Sequence, residues 1–141
     1  MSTVTINVQR LVLAGLGAGF WVLVSGMLMA AAFGYREMKA AFDAIGLPIP
    51  GGLGPFITHT VVRLLMGMAV VALYAILLHV FSPTNAMLVA AGFTWLLAVL
   101  LPFAVIAEWG LFPWSLAAKM WAWSAAELLI AASIGRLLYR A

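Results

Sequence analysis

Cysteine is absent and charge is scarce, and each absence removes a class of chemistry. Without a thiol there is no redox-active cysteine, no iron–sulfur ligation and no disulfide cross-link. Charged residues make up only 8% of the 141-residue chain, against about 25% in a soluble domain. What fills the space is apolar: 67% of residues are hydrophobic and the mean hydropathy is +1.18. That balance belongs to an integral membrane protein, expected here as a single domain with no soluble catalytic part. The formal charge of +3 and pI near 9.8 do not point to nucleic acid. Arg10, Arg36, Lys39, Arg136 and Arg140 border apolar stretches, where basic residues meet lipid head groups, so the lipid bilayer is the expected partner.

A membrane-spanning helix takes about 20 mostly apolar residues. Four such stretches are present, over 11–32, 57–80, 85–107 and 114–138. The first is too long for the apolar core of a signal peptide, and only Arg10 supplies charge ahead of it among the first ten residues, so it is expected to be retained as a span. The first loop has room for a short helix over 35–46, with Met38, Phe42 and Ile45 on one side and Arg36, Lys39 and Asp43 on the other, a pattern suited to lying in the membrane interface. Pro48, Pro50, Gly51 and Gly52 break it. The glycines form no phosphate loop, because lysine and the strand-to-helix context are missing. A tight turn over 81–84 makes the second and third spans antiparallel neighbours, with Ser82 or Thr84 available as an N-cap. Trp109, Trp114, Trp121 and Trp123 crowd the third loop and anchor that end at a membrane boundary. The expected fold is all-α, a four-helix transmembrane bundle with a short interfacial helix in the first loop. Gly19-Phe20-Trp21 and Gly92-Phe93-Thr94-Trp95 hint at a parallel two-helix repeat.

Charge inside an apolar stretch is costly and survives where it is paired or used. Arg63, Glu108, Lys119 and Glu127 hold such positions. Counted from the Trp-rich end at about 1.5 Å per residue, Glu108 is at the surface, His59 and Lys119 come next, Arg63 is deeper, and Glu127 is roughly 20 Å down. His59, Arg63, Gly67, Val70 and Tyr74 share one face of the second span, and Lys119, Trp123 and Glu127 share one face of the fourth. If those faces meet, they form a polar seam. In one reading Arg63 pairs with Glu127 and the seam binds a proton or a lipophilic, quinone-like ligand, with Tyr74 beneath. In the other, Arg63 and Lys119 snorkel to the interface and Glu127 is packing glue. A carboxylate is too short to snorkel from that depth.

His59 and His79 invite haem or chlorophyll ligation; twenty residues on one helix separate them by about 30 Å and exclude a shared bis-His haem within one chain, which leaves each to ligate alone or across an oligomer axis, or to stand at head-group level at either end of the second span. No Cys, His and carboxylate cluster has metal-ligand spacing, and Ser25, Ser124, Ser133 and Asp43 do not assemble a Ser/His/Asp site. Gly15, Gly19 and Gly26 give the first span a small face for close helix packing. Pro102 predicts a kink in the third span, since it removes a donor and crowds the carbonyl of Ala98.

Leu13-Ala14-Gly15-Leu16, the His59 to Arg63 spacing, Leu73-Tyr74-Ala75, Glu127 and the stretch Gly135-Arg136-Leu137-Leu138-Tyr139-Arg140 give the chain a pattern that resembles small bacterial four-span membrane proteins with no assigned function. The resemblance implies a bacterial inner (cytoplasmic) membrane and transfers no activity. The basic residues favour cytoplasmic termini. The functional expectation is an accessory, non-catalytic subunit of a larger membrane complex, an energy-transducing one included, with other membrane subunits or a second copy as partner. The alternative is a small homo-oligomeric carrier, channel or binder of a lipophilic ligand. An enzyme would need a nucleophile or metal that the sequence does not offer.

Overall fold

In a computed structural model of the chain, residues 6–139 are described, and these form helices, turns and no strand. Arg140 lies outside them. Four long helices follow in order: α1, Val8–Ala44; α2, Leu53–Leu77; α3, Pro83–Glu108; and α4, Trp114–Leu138. Among the described residues α1, α2 and α3 are long and apolar enough to cross a membrane. The fourth has the length, but Lys119, Glu127 and Arg136 make it less apolar.

Local chemistry sets the helix ends. Asn7 caps α1 by accepting the Arg10 backbone N–H at 3.0 Å. At its other end Gly46 takes φ +71°, Gly46 N–H donates to Asp43 and Leu47 N–H to Phe42, closing the orphan carbonyls of the last turn. Gly110, at φ +74°, ends α3 in the same way, with Leu111 N–H donating to Ile106. Ser82 caps α3, accepting the Asn85 N–H, and Pro83 follows at a position where its missing donor costs nothing.

Two expectations about continuity change. The first span does not stop near residue 32 to leave a separate helix over 35–46. A π turn, Ala30–Gly34, carries α1 without a break into Tyr35–Ala44, so one helix of 37 residues, roughly 55 Å long, exceeds the ~30 Å hydrocarbon core. Its charged last part pairs Lys39 with Asp43 at 2.6 Å. In α3 the expected disturbance at Pro102 takes the form of a second π turn, Leu96–Leu100, in which Leu101 N–H reaches Leu96 O. An extra residue in the turn accommodates the ring and the lost donor. The other boundaries move by a few residues, most at the start of α2, which begins at Leu53 instead of 57.

The helices α2 and α4 touch through the middle of the bundle, and α1 and α3 each pack against both. Small side chains line these contacts: Ala14 and Ala18 of α1, Ala86 and Ala90 of α3, Ala131 and Ala132 of α4 are all buried. In lipid, where apolar contact alone gives no advantage over the solvent, close packing of small residues is what holds helices together. The outer faces remain apolar, with Phe20, Val62, Leu65, Leu97 and Leu137 exposed. Such a surface matches a lipid environment.

A buried ion pair and its surroundings

The close approach of α1 to α2 comes first, because it sets the geometry of the site. A Cβ on Gly67 would overlap the backbone of Gly19, and one on Gly19 would lie 2.7 Å from the Leu64 carbonyl oxygen. Gly15 faces Met68 in the same contact. Farther along, Gly26 faces the Arg63 guanidinium, whose Cζ and Nε lie 3.2 Å from where a Cβ would stand. The glycine stripe of α1 thus has two jobs, backbone contact at Gly19 and a seat for a cation at Gly26.

From that seat Arg63 Nη1 donates to Glu127 Oε1 at 2.8 Å. The pair joins α2 to α4 beneath α1. The Glu127 side chain is wholly buried and that of Arg63 is 15% exposed. Because α2 starts four residues earlier than expected, Arg63 stands about 15 Å into its helix, close to the depth of Glu127. The neighbours are polar in a limited way. Trp21 Nε1 donates to the Glu127 backbone carbonyl at 3.1 Å, and Trp123 Nε1 donates to Ser25 Oγ at 2.9 Å. Ser25 is buried. Glu127 Oε2 is also buried and, among the described residues, accepts no hydrogen bond of ordinary geometry. An unpaired charge would be severely disfavoured at such a depth; joined at hydrogen-bond distance, the two charges compensate each other.

The remaining sequence-predicted positions scatter. Lys119 is paired with Glu37, on the extension of α1, and its ammonium lies 5.9 Å from the centre of the Phe33 ring. His59 is exposed one turn before Arg63. Glu108 is exposed at the end of α3. Tyr74 is buried near the opposite end of the bundle, its ring edge-on to Tyr139 with centroids 6.4 Å apart, so it does not extend the seam. His79 Nδ1 lies 2.9 Å from the Ile76 carbonyl. Neither of the two principal clefts is lined by Arg63, Glu127, His59 or Tyr74. Ser25 and Glu37 were missed by sequence reasoning. A serine in an apolar helix carries no distinguishing signal, and Glu37 stood on a segment read as separate from α1.

No protein-family model matches the chain, and no curated protein or solved structure is significantly similar to it.

Proposed function

We propose that this chain is a non-catalytic subunit of a larger membrane complex, a four-span bundle of the bacterial inner membrane type in which α4 is the fourth span. The supporting observation is that its one buried charge pair, Arg63 with Glu127, and the shallower Lys119–Glu37 pair are both satisfied within the chain, while its outer faces are apolar. A bundle so arranged has a fixed interior and offers its circumference to lipid and neighbouring helices. The charged end of α1 lies at the Trp-rich boundary, where Trp109 and Trp114 are exposed. Arg10 and Arg136 mark the other boundary, which is taken as cytoplasmic. Blue-native electrophoresis of the native preparation in a mild detergent tests the reading. Migration with other chains is expected, and migration as an isolated monomer would overturn it.

One observation favours a second reading, a small carrier or binder of a lipophilic, quinone-like ligand. Glu127 Oε2 is buried and accepts no hydrogen bond of ordinary geometry from the described residues, with the Ser25 hydroxyl as its polar neighbour. This reading requires loss of transport or binding in Glu127→Gln, measured in proteoliposomes, with the bundle still folded.

A further inference from the structure

From Tyr35 to Met66 the chain runs through the last part of α1, the first loop and the first half of α2, and in that whole stretch only Ala41 is buried. In lipid the helical parts keep their backbone hydrogen bonds without burial, so they remain helices, but little packing fixes where they stand. Both of its ends are joints. The π turn Ala30–Gly34 leads into it, and helices bend at such turns. At the other end Gly67 meets the Gly19 backbone and holds the second half of α2 to α1. A cleft of about 620 Å³ separates Ala40, Ala41 and Ala44 from the third loop, so the end of α1 is not packed closely against its neighbour.

What the stretch covers is distinct from the main core. Met29, Leu116 and Met120 form a second buried cluster, with Phe33, Met38 and Trp123 packed on it, and α2 has no part in it. Among the described residues the buried polar ones, Ser25, Ser124 and Glu127, fall between the two clusters: Val22 and Leu128 belong to the main core, Met29 and Met120 to the second. Two ion pairs tie the stretch to α4, Glu37 to Lys119 near its start and Arg63 to Glu127 near its end. They are unequal. The Glu127 side chain is wholly buried, whereas that of Lys119 is 51% exposed, so water screens the outer pair.

We propose that residues 35–66 form a hinged strap, latched to α4 by the Lys119–Glu37 pair, which opens at the Trp-rich end by bending at Ala30–Gly34. The inner Arg63–Glu127 pair is its fixed point. Closed, the strap covers the second cluster and the polar residues beneath it. Opening uncovers Met29, Leu116 and Met120 first and leaves a way from that end down to Ser25 and Glu127. Such a strap serves a subunit that changes shape with its partner as well as a carrier that must admit a ligand, so it does not depend on either reading of function.

The chain has no cysteine, so pairs of introduced cysteines can carry nitroxide labels whose separation is read by double electron–electron resonance in nanodiscs. Leu47→Cys with Leu137→Cys measures the far end of the strap against the lower bundle, and Phe20→Cys with Leu88→Cys measures the lower bundle alone; all four positions are exposed. A bend of about 20° at the hinge carries the end of α1, about 15 Å beyond Gly34, through about 5 Å. Two populations separated on that scale are expected for the first pair and one for the second. Lys119→Met should raise the open population about threefold, the scale of a partly exposed ion pair, and leave the second pair unchanged. Exchanging the charges, Glu37→Lys with Lys119→Glu, should restore the original distribution. A single population for the first pair overturns the proposal, as does a distribution that Lys119→Met leaves unmoved. Broadening of both pairs overturns it too, since the whole bundle would then be loose.

Discussion

Arg63 and Glu127 differ in how each can lose its charge. A carboxylate left alone in the bundle neutralises by binding a proton, whereas a guanidinium stays charged at any ordinary pH. The two single deletions are therefore unequal. Glu127→Leu strands Arg63 beside Gly26 and should cost about 3 to 5 kcal/mol, the range for breaking a buried pair. Arg63→Met should cost less, because Glu127 retains a neutral form. The double variant should recover part of the loss, as replacing both charges with apolar groups often does. Unfolding by SDS titration in mixed micelles, followed by circular dichroism, measures all three. Equal losses for both single variants would argue against the asymmetry. The pairing was one of two readings the sequence allowed, since Arg63 and Glu127 descend from the same end on helices running in the same direction, but an arginine that snorkels to the interface fits the same spacing. Gly26 as the seat of the guanidinium was not legible, because spacing does not disclose what a glycine leaves room for.

At the level of the helices, the crossing of α1 over α2 decides how close every other contact can be. Gly67 has its partner's backbone where a side chain would begin, so the helices must part before even a methyl group fits. Gly67→Ala should therefore lose about 3 kcal/mol or more, at or beyond the upper range for overpacked cores. Gly92→Ala on α3 provides the contrast. Nothing lies within 4 Å of its added Cβ, and alanine is the better helix former by about 1 kcal/mol, so that variant should be neutral or more stable. Thermal unfolding of the pair in the same detergent separates a packing role from a general intolerance of substitution. Helix existence was readable from the apolar runs, and the cap of α3 only as a choice between Ser82 and Thr84, of which Ser82 is used. The continuity of α1 was not. A fall in hydropathy after Ala32 marks where a helix meets polar surroundings, and backbone hydrogen bonding does not have to stop there. The π turns carry no sequence signal of their own beyond Pro102, which explains one of them.

For the molecule as a whole, the placement of α4 turns on how its charges are compensated. That helix is as long as α2, yet Lys119, Glu127 and Arg136 weaken its apolar signal. The pairing of two of those charges supplies the compensation. Glu127 meets Arg63 in the interior and Lys119 meets Glu37 near the end, so the helix enters the bundle with less net cost than its composition suggests. Neither effect is visible to a hydropathy sum, which counts each charge as if it were alone. A crossing α4 makes a definite prediction about sidedness, and the absence of cysteine allows single-cysteine variants to be made directly. Gly51→Cys and Leu111→Cys lie in the first and third loops, while Val80→Cys follows α2 and Leu137→Cys is in the last turn of α4; all four positions are exposed. With four crossings, a membrane-impermeant maleimide added to sealed vesicles should label the first two from one side and the last two only from the other. Labelling of Leu137→Cys together with Leu111→Cys would mean that α4 does not cross, and the buried Arg63–Glu127 pair would then have to sit outside the hydrocarbon.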